Sequence, residues 1–460
     1  MSLKITNNEK INLLHKQKIN IESIYLIKYL NNIKNNTLNY LKNLLNYNIN
    51  INTDICLNPP LWQFGHIIDF YIKNTLNLLE IKNNLTFNIL KTYIKQSEIT
   101  HNIKFHLYFD SFYTSRDYRF TFNLCFERLK LIYISIIKIL ISFIKCNIID
   151  SIDTYLIMLS ILHNDMHNEN FIFSYYFLCN MNLSTNICKN YITLNHIQIN
   201  NTFINIKSGS YYQGATINTK NLIFDNETPP FLVNIKSFNV SKYTITEYEY
   251  LEFIINNGYY IDKYWSYNGL LWKNKNNISS PLYWFSINNV WFRKHYNQIY
   301  KIGSNLPVCN ICYYEAEAYC NWINCRLITE SEYEYLATNS GSTLYPWGNS
   351  PPTIDLCNIN NIHNYCINVD LYENGANNDS VNQLIGNVWE WCYEEIYPYN
   401  NFTIDYVYRE MSYPYFGKKK ICRGGCFCVN DFLINSKYRN AQLPDCRTQF
   451  IGFRICSDSI

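Results

Sequence analysis

IDTYLIMLSILHNDMHNENFIFSYYFL, residues 152–178, carries apolar side chains at three- and four-residue intervals, the period of a helix packed against neighbours. Within it, His163 and His167 stand four apart. That spacing puts both imidazoles on one helix face, about one turn apart, where they can chelate one metal. The same period recurs over 21–45, 61–79 and 126–144, and Pro59-Pro60 marks a helix start, where a missing N–H costs nothing. Four such segments joined by loops predict a four-helix bundle.

From about residue 200 the texture changes. Gly, Pro and Trp become frequent, and short β-prone runs alternate with Asn257-Gly258, Asn268-Gly269 and Asn374-Gly375, read here as turns. Helices are expected in this half only over 313–323 and 330–338. The chain therefore reads as a two-domain α+β protein, with a helical bundle over 20–190, a linker within 180–205 and an irregular α+β domain over 200–460.

Composition sets the outer bounds. With 48% hydrophobic and 16% charged residues, the 460-residue chain has ample material for two packed cores and is not a charge-driven disordered one. Thirty-nine basic against 36 acidic residues give +3, with no basic block of the kind that lines a nucleic-acid groove. The start, MSLKITNNEKINLLHKQK, has no apolar run of the signal-peptide kind. The longest apolar stretch, 131–144, is broken by Ser135, Lys138 and Ser142 and falls short of the ~20 residues a membrane span needs. Seventeen cysteines, an odd count without regular spacing, do not form a secreted disulfide framework and fit a reducing cytoplasm. Cys309 and Cys312 form a single C-x-x-C, read as two small residues on a strand.

Two ligands are too few for a metal, so a third must come from another helix. His66, in NPPLWQFGHIIDF (58–70), is the candidate. The residue after His163 is Asn164, not the glutamate a zinc metalloprotease requires. Imidazole-only ligation suits iron or zinc and does not choose between them. The competing reading makes His163 and His167 a surface pair. Glu169 is placed as a support rather than a ligand.

Arginine is scarce, ten against 29 lysines, so each one is informative. Arg116 and Arg119, in FDSFYTSRDYRF (109–120), suit either carboxylate recognition or a structural salt bridge, because the planar fork binds carboxylates bidentately. Arg423, Arg439, Arg447 and Arg454 crowd the C-terminal region, where buried pairing is the favoured reading for Arg423 and Arg454.

The motifs GNVWEW (386–391), RGG (423–425), RLITESEYE (326–334), YPWG (345–348) and GFR (452–454) make the second half resemble the formylglycine-generating-enzyme-like domain, a C-type-lectin-like fold. Trp62-x-x-x-His66 and His163-x-x-x-His167-x-Glu169 make the first half resemble the DinB-like bundle. The pairing resembles the nonheme iron sulfoxide synthases of ergothioneine biosynthesis. NPPLWQFGHI, HNDMHNE, YREMSYPYFG (408–417) and PDCR (444–447) lean toward the selenoneine synthase branch.

That resemblance implies oxidative joining of a thiol or selenol donor to the imidazole of hercynine, using Fe(II) and O₂. His66, His163 and His167 would be the iron ligands, Tyr408 the tyrosine that supplies a proton or electron, and Asn440 a hercynine contact. Arg116 and Arg119 would grip donor carboxylates, and Asn387 and Glu390 mark a turn where the fold often binds Ca²⁺. The implied partners are small molecules: hercynine, O₂ and a thiol or selenosugar. Neither nucleic acid nor membrane is implied, and the location would be cytoplasmic.

Departures from the pattern bear on the donor. Gln442 and Cys446 stand where one subtype uses an Asp and an Arg to hold γ-glutamylcysteine, and Met166 and Met411 stand where some relatives have polar or aromatic hercynine contacts. Two other classes compete. A copper-type formylglycine generator would need a cysteine pair where this chain has Val429 and Ile434. A non-catalytic lectin-like binding module would need no histidine cluster.

Overall fold

The computed structural model describes residues 19–46, 56–83, 104–111, 113–120, 124–183, 191–194, 197–217 and 221–458, with six positions between 87 and 95. The N-terminal stretch 1–18 lies outside them, as do 184–190 and 195–196 of the expected linker. Two compact units emerge. The first takes the chain to Leu178 and adds two segments from far along the sequence, Thr216–Asp225 and Thr403–Met411; the second takes the remainder.

The first unit is helical: α1 (Ser23–Leu45), α2 (Pro60–Tyr71), α3 (Asn77–Asn83), the short α4 (Phe105–Tyr108), α5 (Phe126–Cys146) and α6 (Ser151–Asn182). Pro60 opens α2 at its first position, and a π turn over Ile72–Leu76 joins α2 to α3. α1 buries Leu26, Leu30, Ile33, Thr37, Leu41 and Leu44, the three- and four-residue spacing of one packed stripe. α6, with 32 residues, is about 48 Å long at 1.5 Å per residue. It is buried on nearly every side from Asp153 to Asp165, so its apolar side chains are not confined to one stripe. None of the described helices is long and apolar enough to cross a membrane.

Polar residues of HNDMHNE fasten α6 to its neighbours. Thr37 of α1 donates to Asn168 Oδ1 at 2.8 Å and accepts from Asn164 Nδ2 at 2.9 Å. Tyr133 of α5 donates to Asn164 Oδ1 at 2.6 Å. Asn164 and Asn168 repeat the i,i+4 spacing of the two histidines one residue on, so one helix face knits the bundle while the adjacent face carries the imidazoles.

The second unit is β-rich. β1 (Phe203–Ile206), β4 (Phe238–Ser241), β13 (Ile455–Asp458) and β8 (Arg326–Leu327) form one sheet, in that order. β11 (Asn440–Gln442), β10 (Lys420–Arg423), β9 (Trp389–Glu395) and β12 (Ile451–Gly452) form another, in which only the β9–β12 pairing is parallel. β2 (Gly209–Gln213) pairs with β3 (Phe231–Ile235), and β5 (Trp284–Ile287), β6 (Val290–His295) and β7 (Gln298–Lys301) make a meander. Gly386 and Asn387 both take positive φ, 80° and 65°, just before β9, so GNVWEW opens on the residue types best suited to left-handed backbone.

The helices here are α7 (Glu247–Ile255), α8 (Tyr267–Lys275), α9 (Tyr313–Trp322) and α10 (Glu330–Ala337). The first two correct the sequence reading. α7 begins with a capping box between Thr246 and Glu249. Asn268-Gly269 is not a turn but the first turn of α8, where the Ser266 side chain accepts the Gly269 N–H. Cys309 and Cys312 are not on a strand either, since Cys312 is the N-cap of α9.

The C-terminal arginines are held in ion pairs, Arg423, Arg439 and Arg454 buried and Arg447 partly so. Arg423 reaches Glu330 at 3.0 Å and Glu334 at 2.7 Å, Arg439 reaches Glu330 at 2.7 Å, and Arg447 reaches Glu315 at 3.0 Å. Arg454 meets Glu390 through two bonds of 2.6 Å. Removing one partner of such a buried pair costs about 3–5 kcal/mol, so these residues tie α9, α10 and the strands together.

Candidate metal centre

Three histidines converge in the first unit. His66, on α2, and His163 and His167, on α6, each offer one ring nitrogen, and these nitrogens lie within 4.8 Å of one another. Among the described residues no other group of three His, Cys, Asp or Glu side chains is gathered in this way. His163 and His167 of α6 and His66 of α2, the three candidates named from the sequence, are thus brought together.

Hydrogen bonds fix which nitrogens are available. His66 Nδ1 lies 2.7 Å from the Phe109 carbonyl oxygen, which only accepts, so this nitrogen carries the proton and Nε2 keeps its lone pair. Gln63 donates its Nε2 to the Asn58 carbonyl at 2.9 Å, which turns its Oε1 toward His167 Nδ1 at 3.1 Å and selects the same tautomer there. His163 Nε2 stands 3.3 Å from His66 Nε2, a separation that two metal–nitrogen bonds of about 2.0–2.1 Å can span. His163 Nδ1 is buried and has no hydrogen-bond partner.

All three imidazoles are held below the ordinary histidine range, first by burial. His163 is pushed down further by His167 and His66, and His167 by His66 and Arg119. For His66, the Phe109 carbonyl and Asp69 act against burial without overcoming it. Neutral imidazole is the form that ligates, so the cluster is ready for a divalent cation at neutral pH. A neutral, all-nitrogen donor set fits Fe²⁺ or Zn²⁺ and is a poor match for Ca²⁺ or Mg²⁺, which take oxygen.

Aromatic rings wall the cluster. Phe70 stacks on His163 at 3.8 Å and Trp62 on His66 at 5.2 Å. Tyr408, in the Thr403–Met411 segment, sets its ring edge-on to His163 at 5.5 Å and to Phe70 at 5.0 Å. Its hydroxyl donates to Met166 Sδ at 3.7 Å. Of the positions named from the sequence, Tyr408 is thus gathered with the histidines, and Met166 touches it.

The Phe109 carbonyl is itself anchored. Asp69 accepts from His106 Nδ1 at 2.5 Å and pairs with Lys73 at 2.8 Å; Lys73 also reaches Asp110 and the His106 carbonyl, each at 2.9 Å. Trp62 Nε1 donates to the Tyr108 carbonyl at 2.9 Å. The Phe109 ring lies against Gly65, where an added Cβ would sit 2.0 Å from it. Gly65→Ala is therefore expected to displace Phe109 and loosen His66. A metal titration should show affinity weakened by about 10–100-fold. Thermal unfolding should show a stability loss of about 1–3 kcal/mol.

Gln63, Phe109, Phe70 and Asp69 were not singled out from the sequence. Gln63 carries a legible signal, since it precedes His66 by three residues on one helix face. Phe109 acts through its backbone and leaves no mark on residue type.

Arg116 and Arg119 lie in the first unit. Arg116 Nη2 donates to the Leu57 carbonyl at 2.9 Å while its Nε has no hydrogen-bond partner. Arg119 spends Nε, Nη1 and Nη2 on Thr114, Asn58 and Ser111, and its guanidinium covers Trp62 at 4.1 Å. Asn440 belongs to the second unit, at the start of β11, with its side chain turned to its neighbour's N–H. The calcium expected at Asn387 and Glu390 finds those groups engaged. Both Glu390 oxygens are bound by Arg454, and Asn387 Oδ1 accepts from Asn358 and from the Ile367 N–H at 3.0 and 2.8 Å.

Fold and site together define a two-part α+β protein with a three-imidazole centre in its helical part. The chain belongs to the family of the sulfatase-modifying factor enzyme 1-like domain, whose pattern matches residues 193–459. It is 30% identical over 239 residues to the hercynine oxygenase of Mycobacterium tuberculosis, covering 51% of this chain and 56% of that protein. To the hercynine oxygenase of Mycolicibacterium smegmatis it is 29% identical over 266 residues, covering 56% and 61%. The formylglycine-generating enzyme of Streptomyces coelicolor is 24% identical over 267 residues, covering 51% and 82%. The chain thus spans little more than half the length of the hercynine oxygenases it matches. The family match takes in Tyr408 and none of the three histidines.

Proposed function

We propose that this chain is an iron-dependent oxidoreductase that joins a thiol or selenol donor to the hercynine imidazole, with O₂ as oxidant. The observation that carries this reading is the gathering of three neutral imidazoles around one point, with Tyr408 edge-on to His163. The likeness to hercynine oxygenases supports it. In this reading Nε2 of His66, His163 and His167 holds Fe(II), and the ion when bound supplies O₂ activation and a coordination site for the substrates. Phe109 and Gln63 keep the Nδ1 protons in place, so the ligating nitrogens point inward. Phe70 and Trp62 exclude water from the imidazoles they cover. Tyr408 Oη holds a proton beside the centre. Of the two arginines, Arg116 has a donor to spare for a substrate carboxylate, while Arg119 braces Trp62.

A copper-type formylglycine generator is disfavoured, because Val429 and Ile434 stand where its cysteine pair would be, although an enzyme of that name shares the family pattern. Metal analysis after purification separates the readings: one iron per chain supports the proposal, one copper per chain the alternative, and neither a binding module.

The donor can be argued from two positions. Gln442 and Cys446 offer no charge where one subtype uses an Asp and an Arg, and each lost charge-assisted bond costs about 1.5–3 kcal/mol. Cysteine or a selenosugar is therefore expected to outcompete γ-glutamylcysteine at equal concentration. A clear preference for γ-glutamylcysteine in a competition assay would contradict the argument from these positions.

A further inference from the structure

Tyr408 reaches the histidines from a segment, Thr403–Met411, that lies more than two hundred residues along the chain from His167 yet belongs to the helical unit. Something must hold so distant a segment in register with α6. Tyr155, 1% exposed and on the same helix eight residues before His163, donates its hydroxyl to Asp405 Oδ2. The other oxygen of Asp405 accepts the Val407 N–H at 2.9 Å, a side-chain turn that sets the backbone immediately before Tyr408. The Asp405 N–H in turn donates to Asp225 Oδ2 at 3.0 Å, and Asp225 sits in the other inserted segment, next to Phe224, whose ring lies 6.2 Å from that of Tyr408. Three hydrogen bonds therefore converge on one residue, and the anchor on the bundle side is Tyr155.

From this geometry we infer that Tyr155 is a positioning residue for Tyr408. Its hydroxyl latches Asp405 to α6, and Asp405 fixes the turn that aims the Tyr408 ring at His163. The inference rests on the reading of Tyr408 as the proton-holding residue of the proposed reaction. Tyr155 touches none of the histidines by any bond described above, so its effect passes through the loop. Removing its hydroxyl takes one hydrogen bond from the half-buried Asp405 carboxylate, so the 403–411 segment is held less firmly to α6 and lifts toward water more readily.

The test uses the 460-residue chain and the variants Tyr155→Phe and Asp405→Ala. The first keeps the ring and its packing. The second removes both acceptor oxygens and so serves neither Tyr155 nor Val407. In each, amide hydrogen exchange across residues 403–411 is expected to quicken by about tenfold or more, the effect of losing a hydrogen bond to a charged group. Bound iron should stay at the parental level. The ratio of coupled product to uncoupled oxidised donor should fall in the direction seen for Tyr408→Phe, and Tyr155→Phe should add nothing to Tyr408→Phe in the double variant. Unchanged exchange in both variants would overturn the latch. Faster exchange with a parental product ratio would overturn the positioning role. If Tyr408→Phe alone left the ratio unchanged, the role of Tyr408 would fall, while hydrogen exchange would still report the latch independently.

Discussion

His163→Ala is expected to emerge from purification without stoichiometric iron and without turnover. The three rings form a near-equilateral group, with the His163 centroid 5.0 Å from His66 and 4.7 Å from His167, and those two 5.1 Å apart. Its loss leaves two imidazoles on different helices, too few to hold Fe(II) against water. The loss of affinity should exceed the ~100-fold typical of removing a group that merely supports a ligand. Folding should survive, because α6 is fastened to α1 and α5 through Asn164 and Asn168 rather than through the imidazole. Iron content by elemental analysis, with circular dichroism as the folding control, decides it. Stoichiometric iron with parental activity would remove the triad from the account.

The second large effect is chemical. Tyr408→Phe removes one hydroxyl and keeps the edge-on ring contacts with His163 and Phe70, so iron and hercynine binding should persist. Bond formation between donor and imidazole should slow by about 10²–10⁴-fold, the range for a lost positioned acid. With the proton no longer held at Oη, the donor thiol becomes the nearest reductant and is oxidised without being joined. Product ratio is therefore a sharper readout than rate, because a merely structural tyrosine would lower both products together. Parental rate and ratio in the Phe variant would reduce Tyr408 to packing.

Much of the first unit could be read from the chain. Four segments with apolar residues at helical period became α1, the α2–α3 pair, α5 and α6; α1 and α5 bury one stripe, while α6 is enclosed on nearly every side. The i,i+4 histidines were legible for the same geometric reason, and His66 followed from the ligand number a metal needs. The Thr246-x-x-Glu249 capping box is equally present in the sequence and marks the start of α7. Other features were beyond local pattern. Asn268-Gly269 mimics a turn, but the Ser266 cap upstream recruits it into α8. The carbonyl of Phe109 fixes a tautomer with an atom every residue has. The return of Thr403–Met411 to the helical unit is a long-range event, secured by Tyr155 and Asp405 some 250 positions apart, and no periodicity encodes it.

The central claim is that three histidines hold an iron at which hercynine is joined to a sulfur or selenium donor. Its most direct test is the mass of the product formed when the chain, reconstituted anaerobically with Fe(II), receives hercynine, a donor and then O₂. The account predicts a new species in which the donor is bonded to the hercynine imidazole, absent when iron is left out. Hercynine recovered unchanged from fully iron-loaded protein, with cysteine, γ-glutamylcysteine and a selenosugar each tried as donor, would contradict it.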